Sequence, residues 1–183
     1  MMALTDTRAG YGWISIALHW LVAVLVIALF LIGEQFEDLG REAGASLRAL
    51  HVSIGMIAVV TVLARIAWRF TQGNPKKAED PRLILLLSIL VQWGLILATL
   101  ALVITGPLSI WTTGQPIDVF GMVQLASPLE RNRELHEAME EIHEVASSVL
   151  LPLVALHVLG ALKHAVLDRD GIFMRMLRPA REG

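Results

Sequence analysis

Cysteine is absent from this 183-residue chain, tyrosine occurs once, and charged residues make up only 17%. Without cysteine there is no disulfide, thiolate zinc site, iron–sulfur cluster or covalent haem attachment through a CxxCH segment. Any metal centre must therefore rest on histidine, methionine or carboxylates. The shortage of charge, set against 55% hydrophobic residues and a mean hydropathy of +0.62, excludes an ordinary soluble globular domain. The formal charge of −2 carries little information, because in a membrane protein the side on which charges lie matters more than their sum.

A hydrocarbon core of about 30 Å needs roughly 20 apolar helical residues, so a chain of this length holds four spans and short loops. The expectation is a single membrane domain over 1–183 with spans near 14–33, 49–69, 83–110 and 143–167. Ile14 to Gly33 carries no formal charge and follows Asp6 and Arg8. A signal peptide is the competing reading, but no small-x-small cleavage site follows, and the stretch ends at Glu34-Gln35-Phe36-Glu37. Ala49 to Ala64 continues into Arg65-Ile-Ala-Trp-Arg69, which places an Arg inside the membrane. Leu83 to Ile110 spans with tilt, with a break expected at Gly106-Pro107. Val145 to Leu162 centres the fourth helix, which is expected to begin near Glu140, kink at Pro152 and end near Asp168.

Lysine and arginine set the direction. Arg8, Arg65, Arg69, Lys76, Lys77, Arg82, Lys163, Arg169, Arg175, Arg178 and Arg181 fall on the termini and the link between helices two and three. The remaining loops hold only Arg41, Arg48, Arg131 and Arg133. By the positive-inside rule both termini are cytoplasmic, in a multi-pass protein of a bacterial inner membrane. The loops at 34–50 and 111–142 then face the periplasm, and the second has room for a short interfacial helix around Ser127 to Glu141. No nucleic-acid partner is expected.

Six histidines occur, and four of them lie in or at the ends of apolar spans, where an ionisable group is costly and marks a functional candidate. A single such histidine is explained equally well by a hydrogen bond to a neighbouring helix. The set is not. His143 and His157 are fourteen residues apart, about 21 Å of rise and within about 40° of four full turns, so they share a face at two depths. His19 lies near the cytoplasmic start of helix one and His51 near the periplasmic start of helix two. Pairing His19 with His157 and His51 with His143 gives two bis-histidine sites. Zinc wants three or four ligands at one point, whereas haem wants two on opposite sides of a plane. His136 and His164 drift only about 20° from this face. His136 lies in an acidic stretch and is expected at the surface, while either His164 or His157 reaches the depth of His19.

Arg65 follows His51 at the same fourteen-residue interval, which sets it beside the cytoplasmic site, where a haem propionate is its natural partner. Snorkelling to the headgroups is the alternative, and it is the expectation for Arg69. Gly55 and Gly160 lie one turn from His51 and His157, where a missing side chain admits a flat macrocycle or a close helix. Trp20, Trp68, Trp93 and Trp111 read as interfacial belt residues.

These motifs resemble the bacterial cytochrome b561 family, which includes superoxide oxidases and is related to the cytochrome b subunits of membrane hydrogenases. The resemblance runs from Tyr11 to Arg178. It rests on Ile16-Ala-Leu-His19-Trp20, His51-Val-Ser-Ile-Gly55 with Arg65-x-x-x-Arg69, Gly114-Gln-Pro116-x-x-x-Phe120-Gly121, and His143 with His157 and His164. It implies an all-α membrane protein, a four-transmembrane-helix bundle enclosing two b-type haems, with His19, His157, His51 and His143 as iron ligands. Gln92 departs from the family, which often has a histidine there.

The expected activity is electron transfer from a periplasmic donor, superoxide or a small redox protein, to ubiquinone on the cytoplasmic side. That would make the chain a superoxide:ubiquinone oxidoreductase if superoxide is the donor. His164 and Lys163 are the candidates to supply protons to the quinone. The periplasmic loops and the start of helix four hold eleven carboxylates against four arginines, a field that slows superoxide unless Arg131 and Arg133 form a local positive funnel. The alternative is a haem-bearing anchor subunit that docks a dehydrogenase on the acidic face. A histidine-lined transporter would want carboxylates inside the spans, and none lies there.

Overall fold

The computed structural model describes residues 2–73, 75 and 80–180, without the side chains of Glu37 and Arg41. Lys76, Lys77 and Arg181, three of the cations that bear on sidedness, lie outside the described residues. The fold is almost wholly helical: α1 (Trp13–Ala43), α2 (Ala45–Thr71), α3 (Arg82–Trp111) and α4 (Arg133–Leu162). Strands β1 (Ile117–Val119) and β2 (Val123–Leu125) form a hairpin between α3 and α4. A π-helical segment, Lys163–Asp168, extends α4, and a 3₁₀ helix covers Phe173–Met176.

Four stretches are long and apolar enough to cross a membrane: Trp13–Phe36, Ala45–Thr71, Arg82–Trp111 and Arg133–Asp168. Their large side chains are turned outward. Val24, Ile27 and Leu31 form an exposed stripe on α1, as do Leu86, Leu90, Trp93 and Leu97 on α3. Contiguous apolar surface of this kind is stable against lipid rather than water. Hydroxyls inside the spans satisfy themselves on the preceding turn: Ser53, Thr61 and Thr105 donate at 2.8 Å to the carbonyls of Ala49, Ile57 and Ala101. The helices absorb both internal prolines, Pro107 and Pro152, so neither the expected break at Gly106-Pro107 nor Pro152 ends its helix.

The chain divides into two compact units, and each helix supplies residues to both. The first comprises Met1–Leu21, Ala64–Leu97 and Leu150–Gly183. Its terminal segments are laced together by backbone bonds: Ala3 N–H to the Ala180 carbonyl and Ala180 N–H to the Tyr11 carbonyl, both 2.9 Å. The Trp20 indole N–H donates to the Met176 carbonyl at 2.8 Å, and the Trp68 indole N–H donates to Ser15 Oγ at 2.9 Å. Those two tryptophans therefore act as internal ties in addition to any place at an interface. At Gly12 a Cβ would lie 2.3 Å from the Leu4 carbonyl oxygen, so only glycine admits the N-terminal segment there.

The second unit comprises Val22–Leu63 and Ala98–Val149. Its hairpin pairs Ile117 with Leu125 and Val119 with Val123, and turns through Phe120 and Gly121 at φ of 54° and 68°. No separate interfacial helix occupies Ser127 to Glu141. Instead α4 starts at Arg133, earlier than Glu140, because Asn132 caps it: Asn132 Oδ1 accepts the Leu135 N–H at 3.0 Å. The same residue's N–H is anchored to the Thr112 carbonyl at 2.8 Å.

Candidate functional site

In the first unit α1 carries His19 and α4 carries His157, and their rings lie 6.1 Å apart, centre to centre, at 60° to one another. In the second unit α2 carries His51 and α4 carries His143, with ring centres 6.5 Å apart at 70°. These spacings can be compared with what an iron needs. An imidazole nitrogen binds a metal at about 2.0–2.1 Å, and adding roughly 1.1 Å from nitrogen to ring centre puts two axial imidazoles about 6.3 Å apart. Both pairs fit that figure. All four rings are half-buried, and the charge of Arg65 acts on both His19 and His157.

The backbone around the rings is equally specific. A Cβ at Gly106 would lie 3.3 Å from His143 Cε1, and one at Gly33 would lie 3.6 Å from His51 Cε1. His143 and His51 are therefore each backed by a glycine on a neighbouring helix. At Gly55 and Gly160 an added Cβ would meet nothing within 4 Å, so close helix packing does not account for them and there is room for a flat ring system. Phe36 meets the His51 ring edge-on at 5.4 Å, with the Arg48 guanidinium 4.7 Å over the Phe36 ring. His51 Nδ1 makes no bond to a side chain, whereas His143 Nδ1 lies 3.0 Å from the Thr105 hydroxyl. Two imidazoles at each point, with no carboxylate joining them among the described residues, suit haem better than zinc.

Lys163 and His164 sit in the π-helical segment, where i→i+5 bonding sets Asp168 over both of them. Lys163 Nζ pairs with Asp168 and, at 3.0 Å, with Asp80 Oδ1. His164 Nδ1 lies 2.8 Å from Asp170 Oδ2 and 3.2 Å from Asp168 Oδ2, and its Nε2 lies 3.6 Å from Asp80 Oδ2. Burial works against ionisation of Asp170, but the Ile172 N–H and His164 outweigh it and hold this carboxyl below the usual range. Three carboxylates surround the His164 ring, and His157 is the histidine of this unit whose ring faces His19. Asp80 was not visible as a partner in the sequence, since it lies 83 residues from Lys163, whereas Asp168 lies only four residues after His164.

A cleft of about 290 Å³ in the second unit is lined by Thr112, Thr113, Gln115, Arg131, Arg133 and His136. His136 is not a plain surface residue: it is half-buried, with Nδ1 donating to the Ser109 carbonyl at 2.8 Å and Nε2 3.4 Å from Glu140. Arg133 is paired with Glu137 at 2.7 Å, while Arg131 has no carboxylate partner among the described residues. Gln92 is exposed and donates to Ser88 Oγ at 2.9 Å.

Comparison with known proteins gives the chain a family. Residues 10–179 match the family described as prokaryotic cytochrome b561. The chain is 30% identical to cytochrome b561 homolog 2 of Escherichia coli over 181 residues, covering 96% of this chain and 95% of that one. It is also 30% identical to cytochrome b562 of Cereibacter sphaeroides over 177 residues, covering 93% and 96%. A probable superoxide oxidase of Yersinia pestis is 25% identical over 174 residues, covering 94% and 98%. The chain belongs to the prokaryotic cytochrome b561 family, and is a multi-pass bacterial membrane protein that carries electrons on b-type haem.

Proposed function

We propose that this protein takes single electrons from superoxide at a periplasmic cleft and delivers them in pairs to ubiquinone at the cytoplasmic side, with two b-type haems as the carriers. The observation that carries the reading is the pair of imidazole couples, each spaced for one axially ligated iron. His19 and His157 would hold one haem, and His51 and His143 the other. When bound, each haem would supply one-electron transfer, with the two imidazoles of its pair holding the iron. Arg65, whose charge acts on both His19 and His157, would pair with a propionate of the haem held there and offset its charge inside the membrane.

The donor side rests on Arg131. Superoxide is an anion, and among the cations of the cleft Arg131 has no carboxylate partner among the described residues. It attracts the anion locally against the acidic loops. A relative of this chain bears the name probable superoxide oxidase, which favours the same donor. Two superoxide ions give up one electron each and leave as two molecules of dioxygen. Ubiquinone takes up the two electrons and two protons to become ubiquinol. His164 passes a proton to the quinone and regains one through the carboxylates at its two nitrogens, while Lys163 fixes Asp80 and Asp168 in place.

The sidedness follows the lysine and arginine bias, with both termini cytoplasmic. The test is a reduced-minus-oxidised spectrum of the purified protein with its haem-to-protein ratio, followed by superoxide-driven ubiquinol formation in proteoliposomes. Two low-spin b haems per chain and superoxide-dependent ubiquinol are expected. One haem per chain, or reduction that superoxide dismutase does not suppress, overturns the proposal.

A further inference from the structure

The two histidines of the second unit are not held alike. His143 has a polar partner, the hydroxyl of Thr105 on α3, which is itself buried. Thr105 Oγ1 lies 2.8 Å from the Ala101 carbonyl oxygen and 3.0 Å from His143 Nδ1. A carbonyl oxygen only accepts, and a hydroxyl has one proton to give. That proton is spent on Ala101, so towards the imidazole Thr105 can only accept. The His143 proton must then sit on Nδ1, which leaves the Nε2 lone pair free. The next residue, Gly106, touches the same ring from its bare backbone, where a Cβ would come within 3.3 Å of Cε1. One dipeptide thus fixes both the tautomer and the plane of the ring. His51 has no hydroxyl in that place: its Nδ1 makes no bond to a side chain, and its neighbours are the backbone of Leu29, Gly33 and the edge of Phe36.

We propose that Thr105 is a positioning residue for the haem held by His51 and His143, selecting the Nε2-ligating tautomer of His143 and raising its donor strength. The inference rests on reading that pair as axial ligands. An Nδ1–H donated to an oxygen makes the opposite nitrogen more basic, and a more basic ligand favours the ferric over the ferrous state. Thr105 therefore lowers the reduction potential of this haem relative to the same site without the hydroxyl. The haem held by His19 and His157 is untouched by the exchange, because Thr105 belongs to the other pair's surroundings.

The experiment compares Thr105→Val, which keeps the branched shape and loses the hydroxyl, with Thr105→Ser, which keeps the hydroxyl. Both are made in the full-length, haem-loaded protein. The readouts are haem per chain, the two midpoint potentials from an optical redox titration, and the electron paramagnetic resonance spectrum of the two ferric haems. In Thr105→Val one potential moves to more positive values and one low-spin signal shifts, with the other haem unchanged, and Thr105→Ser restores both. Loss of one haem in the Val variant but not in the Ser variant supports the proposal too, since only the hydroxyl differs in kind. Unchanged potentials and signals at full haem content overturn it, as does equal haem loss in both variants. His143→Ala separates this from the underlying reading: if it retains two haems with unaltered potentials, the ligand assignment fails first. If it loses one haem while Thr105→Val behaves as wild type, only the role of Thr105 fails.

Discussion

Ser53 Oγ accepts the Phe120 N–H at 2.9 Å while donating to the Ala49 carbonyl, and so ties the turn of the hairpin to α2 two residues from His51. Phe120 needs such a tie, because at φ 54° it occupies the left-handed region that bulky residues avoid. Ser53→Ala leaves the part-exposed Phe120 N–H without its partner, a loss of about 0.5–1.5 kcal/mol for an ordinary hydrogen bond. The expected result is faster amide exchange at Phe120 and Gly121 with haem content unchanged. Protection equal to wild type would show that the turn holds itself.

The glycines behind the ligand rings should differ in tolerance. An alanine Cβ at position 106 would stand 3.3 Å from His143 Cε1, tighter than ordinary van der Waals contact, whereas at position 33 the gap to His51 Cε1 is 3.6 Å. Gly106→Ala should therefore displace the His143 ring and lower occupancy or shift the potential of that haem. Gly33→Ala should leave spectrum and haem ratio near wild type. Equal effects of the two would mean that the ring moves freely out of the way.

The histidine pattern was legible because period and depth are properties of a helix alone: fourteen residues return to nearly the same face. His51 and His143 come together as that reading expects, and of the two histidines it left open opposite His19, His157 is the one whose ring meets it. Thr105 was not legible, since one hydroxyl in an apolar span looks like any other until His143, 38 residues on, is placed beside it. Asp80 was hidden for the same reason. The early start of α4 could have been read from Asn132 as a helix cap, and the hairpin from Gly121 after a short β-branched run, had those local signals been set against the acidic stretch that follows.

Ligation and proton delivery separate in the first unit. His19→Ala or His157→Ala should each cost one haem per chain, because neither ring alone completes an axial pair. His164→Ala should keep both haems yet slow haem reoxidation by a ubiquinone analogue, and Asp80→Asn should slow it in the same direction by loosening both Lys163 and His164. Two haems in His157→Ala would transfer the ligand role to His164. Unchanged reoxidation in both other variants would remove the proton site.

The turn after α4 should be acid-sensitive in a defined direction. Asp170 is held below the ordinary carboxyl range, where the Ile172 N–H and His164 overcome the opposing effect of burial. A group whose pKa is depressed on folding stabilises the fold fully above its unfolded value, near the 3.8 of a free side chain, and loses that contribution as pH falls through the lower folded value. Pepsin cleavage within 163–176 should therefore rise as pH drops below about 4 in the wild type. Asp170→Asn should be cleaved readily already at the upper end of that range, with little further dependence on pH. Parallel pH profiles for the two proteins would rule out Asp170 as the sensitive group.

Charge decides between the donors. If superoxide enters at Arg131, added salt should slow haem reduction by screening a short-range attraction, since the Debye length is about 10 Å at 0.1 M and about 3 Å at 1 M. Arg131→Gln should slow it further. Arg133→Gln should matter less, because its guanidinium is already committed to Glu137. Replacing Glu137, Glu140 and Glu141 with Gln removes three negative charges, releases Arg133 and leaves His136 without its Glu140 partner. Superoxide should then react as fast as before or faster, while a basic redox protein docking on the acidic face should react more slowly. Stopped-flow reduction of the haems by each donor, at low and high salt, gives the comparison. Slower superoxide reduction in the acidic-cluster variant, with both haems present, would contradict the electrostatic assignment of the Arg131 cleft.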